Sequence, residues 1–165
     1  DMTIHSALTG HLVLSTLHTN DAAGAVPRLL DMGAEGFLVA STLNVVVAQR
    51  LVRKICSACI ERYKPEKEAI KFFASRFGDK VEKQDFYRGK GCEECGGSGY
   101  KGRIGIFEIL EINDQIRGLI LKKVAAEEIN RATTKAGMVG MLADGLDKIA
   151  AGLTTIEEVL RVVQE

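Results

Sequence analysis

Thr9-Gly10-His11-Leu12-Val13-Leu14-Ser15-Thr16-Leu17-His18-Thr19-Asn20-Asp21 decides how the chain reads. The apolar run His11 to Leu17 predicts a buried strand, and the polar groups that follow it directly predict a site. In open parallel α/β sheets ligands lie beyond the carboxyl ends of strands, where Thr16, His18 and Thr19 would emerge. A phosphate is the natural ligand for such a turn. The plainer alternative, equally open from periodicity, is that His18 bonds a loop carbonyl and Thr19 only caps a helix. His11, at the other end of the strand, reads more readily as a core or subunit-contact histidine than as a catalyst, and His5 as a surface residue.

Working outward, residues 3 to 9 predict a helix closed by Gly10. After the strand, Thr19 or Asn20 can cap a helix with Ala22, Ala25, Val26, Leu29, Leu30 and Met32 on its apolar side and Gly33 at its C′ position. Pro27 conflicts with a start that early, since a proline two turns in removes a hydrogen bond; the helix kinks or starts late. Residues 37 to 53 predict a further apolar helix. On it Arg50 and Arg53, three apart, would share a face and meet phosphate or, more readily, a neighbouring carboxylate. Glu61 to Phe77 predicts a charged helix after a Pro65 start. Residues 103 to 110 predict a strand, and 114–123, 125–136, 138–151 and 155–164 helices. Thr154 or Thr155 would cap the last, with Glu157 and Glu158 favoured in its first turn by the helix dipole.

The four cysteines fall in two C-x-x-C pairs, Cys56/Cys59 and Cys92/Cys95, with 32 residues between Cys59 and Cys92. A C-x-x-C turn lets two thiolates converge on one tetrahedral ion at about 2.3 Å, and two such turns close a four-sulfur zinc site. The long separation holds a small module, because loop-closure entropy grows only logarithmically. Glycines crowd the second pair, where backbone N–H groups must turn toward sulfur. Disulfides and a redox dithiol are the competing readings; the first lacks a signal peptide and the second leaves one pair unexplained. A closed four-sulfur site has no open position for water, so its work is structural.

Lys plus Arg equals Asp plus Glu at 22 each, so no long-range field draws the chain to nucleic acid or an acidic membrane. The apolar stretches fall short of the roughly 18 residues of a membrane span, which predicts a soluble chain. Beginning at Asp1 rather than Met, it reads as a piece of something longer. G-x-x-x-x-G-K-[ST] is absent, and no acidic run after an apolar strand offers a magnesium ligand, so the chain is not a complete nucleoside triphosphatase.

Ala7 to Asp21, A-L-T-G-H-L-V-L-S-T-L-H-T-N-D, resembles the histidine box of the type II secretion and type IV pilus assembly ATPases. The likeness continues in order through Arg28 to Gly33, Val47-Ala48-Gln49-Arg50-Leu51, both cysteine pairs, Gly102 to Glu108 and Asp144-Gly145-Leu146. It implies the C-terminal portion of a cytoplasmic hexameric motor peripheral to the inner membrane, with platform or anchor proteins as partners and no nucleic acid. ATP and Mg²⁺ would serve the full-length protein, whose phosphate loop and acidic motifs lie upstream. The implied fold is α/β: a RecA-like ATPase core part over residues 1–54, a tetracysteine zinc module over 55–102, and a strand with a helical subdomain over 103–165. His18 would reach the γ-phosphate or attacking water, His11 would support the site or a subunit interface, and Thr16, Thr19 and Arg50 would contact nucleotide. Pro27 stands where relatives usually carry another residue. Retraction motors of the superfamily generally lack the cysteines, which favours assembly or secretion. Two other classes remain open: a chaperone-like client-binding zinc module, because Cys92 to Gly99 fits C-x-x-C-x-G-x-G, and a nucleic-acid-binding zinc ribbon.

Overall fold

The computed structural model describes residues 2–79 and 81–163. Its elements run α1 (Met2–Leu8), α2 (Ala25–Asp31), α3 (Gly36–Thr42), β1 (Val45–Ile55), β2 (Ile60–Tyr63), α4 (Lys67–Phe77), β3 (Phe86–Gly89), β4 (Tyr100–Glu111), α5 (Asp114–Leu121), α6 (Ala126–Lys135), α7 (Met141–Ala150) and α8 (Ile156–Val163). They divide into two compact units, residues 1–48 with 108–140 and residues 49–107 with 141–165. β1 pairs with β4 and β2 with β3. Bonds from Ile112 N to Asn44 O and from Cys56 N to Gly99 O make the first ribbon antiparallel.

The local signals near the N-terminus act as their chemistry dictates. Gly10 adopts φ +90° and Gly33 φ +91°. In both cases two backbone N–H groups reach back to close the helix, as in Gly33 N to Leu30 O at 2.9 Å and Ala34 N to Leu29 O at 3.1 Å. Pro27 is accommodated because α2 starts late, at Ala25, so the proline falls in the first turn, where its missing N–H would have had no partner. The cap expected from Thr19 or Asn20 is not made: the N-cap of α2 is Gly24, which has no side chain to bond, and Asp21 Oδ1 accepts from Gly24 N at 2.7 Å in the turn that leads into the helix.

Three expectations are corrected. Residues 11–17 form no strand: they run without helix or strand, with Leu12 88% and Leu14 87% exposed. A strand of such composition needs partners on its edges and layers on its faces, and no described strand of its own unit pairs with it. The helix expected over 37–53 ends at Thr42, and the β-branched run Val45-Val46-Val47 opens the 11-residue strand β1. Arg50 and Arg53 therefore stand on opposite faces of a strand rather than on one face of a helix. The charged segment after residue 60 begins as strand β2, and only α4, after Pro65, is helical. The last predicted helix extended to residue 164, which lies outside the described residues.

The first unit is built on one apolar cluster, including Val26 of α2, Val39 of α3, Leu110 of β4, Ile116 and Ile120 of α5 and Ile129 of α6. Asn113 caps α5 by accepting from Ile116 N at 3.0 Å. In the second unit, Phe73 of α4 packs edge-on to Phe72 and stacks on Phe77. Val52, Ile55, Ile106, Ile149, Ile156 and Val159 are buried there too.

Candidate metal centre and histidine segment

The four cysteines are the terminal residues of two turns at the ends of strands. Cys56 and Cys59 bound the turn from β1 to β2, and Cys92 and Cys95 a short 3-10 turn between β3 and β4. Antiparallel pairing of β2 with β3, Ile60 opposite Gly89 through Tyr63 opposite Phe86, brings the turns together. All four sulfurs lie within 4.8 Å of one another, and all are free thiols. Cys56 and Cys92 are 3.9 Å apart, Cys59 and Cys95 3.9 Å, Cys92 and Cys95 3.7 Å. Four thiolates about 2.3 Å from a tetrahedrally bound zinc ion stand about 3.8 Å apart. The donor set and its spacing fit a divalent ion of that size.

Backbone amides face these sulfurs. Gly91 N donates to Cys59 Sγ at 3.3 Å, and Cys92 N and Gly99 N to Cys95 Sγ at 3.2 Å each. The Cys92 amide, with that of Gly99, holds the Cys95 thiol down at about 6, whereas desolvation pushes Cys59 up to about 12. The turn is narrow enough to require glycine: a Cβ on Gly89 would stand 1.9 Å from the carbonyl oxygen of Gly99, and one on Gly91 2.6 Å from that of Gly97.

Thr16 and His18 are exposed in the irregular segment of the first unit. Thr19 Oγ1 donates to Asp21 O at 2.9 Å, and Ala22 N donates to Glu108 Oε1 at 2.7 Å. Thr19, Asn20, Asp21, Gly24, Pro27, Arg28 and Asp31 line a shallow depression of about 380 Å³. His11 lies back against the end of α1, its Nδ1 3.0 Å from Thr9 Oγ1 and 3.3 Å from Ser6 O. Arg50 is half-buried on β1 in the second unit. Within their unit Thr16, His18 and Thr19 follow one another as one polar stretch, whereas the contacts of His11 are with Thr9 and Ser6.

Two groups carry roles that the sequence does not mark. Glu108 anchors the start of the α2 turn from β4, and nothing in its alternating strand pattern marks it. Glu158, in the first turn of α8, is buried and accepts from Arg53 N at 3.0 Å and Arg53 Nη2 at 2.6 Å. Its position beside Ile156 and Val159 was the available signal.

Residues 1–161 match the family model described as Type II/IV secretion system protein. The type II secretion system ATPase E of Vibrio cholerae is 48% identical over 165 residues, which is 98% of this chain and 31% of that protein. The type IV pilus assembly ATPase PilB of Thermus thermophilus is 45% identical over 155 residues, 94% of this chain and 17% of that protein. The chain therefore spans a third or less of the length of these relatives. Among solved structures, the pilus retraction motor PilT with bound ADP shares the fold at a TM-score of 0.60 and 21% identity, over 98% of this chain and 35% of that one.

Proposed function

Because the chain belongs to the type II/IV secretion system protein family, we propose that it is the C-terminal portion of a cytoplasmic hexameric motor in which ATP hydrolysis drives type II secretion or type IV pilus assembly. The observation that carries this reading is the polar stretch Thr16 to Asp21, set in a chain 48% identical to a protein named as a secretion ATPase. Residues 1–54 would then belong to a RecA-like core, 55–102 to a zinc module and 103–165 to a strand with a helical subdomain, with platform or anchor proteins of the inner membrane as partners.

The chemistry follows from the residues present. Phosphoryl transfer needs positioned donors around a phosphate whose charge spreads over its oxygens. His18, exposed in the segment, is assigned to the γ-phosphate or the attacking water; the hydroxyls of Thr16 and Thr19 and the guanidinium of Arg50 are assigned to nucleotide contact. His11 supports the segment through Thr9 and Ser6. ATP and Mg²⁺ would be held chiefly by upstream motifs absent from this sequence. In the second unit Cys56, Cys59, Cys92 and Cys95 would hold zinc, which supplies a four-sulfur crosslink with no open coordination position.

Joined to an upstream portion carrying a phosphate loop, the chain should hydrolyse ATP. His18→Ala is expected to cut turnover about a hundredfold, the scale of losing one transition-state donor, with the circular dichroism spectrum unchanged. Turnover equal to that of the parent would remove His18 from the site.

A further inference from the structure

Among the described residues, Glu158 is the one Asp, Glu, Lys, Arg or His that is buried, and nothing assigned above uses it. Its oxygens are fully engaged. Besides Arg53 N and Arg53 Nη2, they accept from Arg161 Nε at 3.2 Å and Nη2 at 3.0 Å. These bonds fall on the outer edge of β1, the side not paired with β4. Along that edge Thr154 Oγ1 donates to Arg53 O at 2.9 Å and Ile55 N donates to Leu153 O at 3.0 Å. The segment leading into α8 therefore acts as a third partner for residues 53–55, and the next residue is Cys56. On the inner edge Cys56 N is fixed by Gly99 O at 2.9 Å, and Gly99 N is bonded to Cys95 Sγ. Tyr100 completes the enclosure: its hydroxyl is 3.0 Å from Thr155 Oγ1, and the Arg53 guanidinium lies 4.2 Å from its ring centroid.

We propose that Glu158 is a positioning residue for the four-cysteine centre: by holding the backbone and side chain of Arg53 it fixes the strand end that aims Cys56, so that metal retention and the Glu158–Arg53 contact are one coupled property. A hydrophobic residue of similar size would fill the same space without the desolvation cost of a buried carboxylate, but it would leave the Arg53 N–H unbonded and the strand edge free to shift. Coupling of this kind is reciprocal: whatever releases Arg53 from Glu158 weakens the metal, and losing the metal loosens the Glu158–Arg53 contact by the same free energy.

The inference rests on the zinc reading of the cysteines, and the test separates the two. The full 165-residue chain is loaded with zinc, or with cobalt as a visible probe, and metal release to a chelator in excess is timed. A parent chain that binds no metal overturns the zinc reading itself. With one metal bound per chain, Glu158→Gln is expected to keep that stoichiometry and release the ion about tenfold faster, the low end of the range for groups that orient metal ligands, with a shift in the cobalt–thiolate bands. Val159→Ala weakens the packing of the same helix without touching Arg53, and release there should stay within twofold of the parent. Equal release from Glu158→Gln and parent, or equal acceleration in both variants, overturns the coupling. Should Glu158→Gln fail to fold, Arg53→Lys, which loses the planar fork but keeps the charge and the backbone bond, gives the same readout: faster release supports the coupling and parental release rejects it.

Discussion

A carboxylate taken out of water costs several kcal/mol unless its lone pairs are used, and at Glu158 they are used by the N–H donors of two arginines. Burial alone would raise its carboxyl, but the hydrogen bonds from Arg53 and Arg161 outweigh it, and the group falls from 4.5 to about 2. A carboxyl depressed in the folded state contributes stability above its unfolded value, and that contribution disappears as pH falls toward the folded value. Arg53 is half-exposed and Arg161 nearly so, which screens the pair and reduces the contribution to about 2 kcal/mol. Because protonation of the cysteines releases zinc from both proteins over the same range, the readout is the difference between the urea midpoints of the parent and Glu158→Gln, which should be present at pH 5 and close as pH falls toward 2. Parallel curves would place the pH dependence elsewhere. At the same scale Tyr63, raised by burial and by its bonds to Glu157, stays a neutral donor across this range.

At the scale of elements, the contact between α7 and α8 turns on the absence of a side chain. A Cβ at Gly145 would stand 2.6 Å from Val159 Cγ1, and valine is stiff at χ1, so neither helix yields without shifting. Gly145→Ala would gain about 1 kcal/mol of helix propensity against an overpacking penalty of about 1–3 kcal/mol. The expected outcome of urea denaturation is a net loss of about 1 kcal/mol; a stabilised variant would show that the helices slide apart freely. Signals of this local kind were legible in the sequence. Gly10 and Gly33 end their helices, Thr155 Oγ1 accepts from Glu158 N at 3.3 Å as a cap should, Pro27 forces α2 to start late, and two C-x-x-C turns converge. What was not legible depends on partners far along the chain. Residues 45–55 are apolar without a clean period, and periodicity alone does not separate a helix from a strand in such a run; β4 decides it. Residues 11–17 read as a strand from composition, yet composition supplies no neighbour. Glu158 was assigned to a helix dipole because its burial comes from β1, more than 100 residues earlier.

At the scale of the whole molecule the two units are held by different physics. The cluster around Ile116, Ile120 and Ile129 is apolar throughout and includes none of the four cysteines, so hydrophobic burial sustains the first unit without metal. The second unit joins its own buried residues, Val52, Phe73, Ile106, Ile149, Ile156 and Val159 among them, to the four-sulfur centre. Structural zinc contributes on the order of 10 kcal/mol, while a whole domain is stable by only about 5–15 kcal/mol. Removing the ion should therefore cost the second unit most of its stability and the first unit little. Hydrogen exchange followed by mass spectrometry, before and after chelation, is expected to show amides of β2, β3 and α8 losing protection by orders of magnitude, while those of α5 and α6 change by less than about threefold. Loss of protection at Ile116 and Ile120 in step with α8 would mean that the units unfold as one, and then the metal would have to be counted as part of the core that carries the histidine segment. Full protection of β2 and β3 without the ion would mean that the cysteine turns close on their own bonds, chiefly the amides facing Cys59 and Cys95 and the close passage of Gly89 against Gly99.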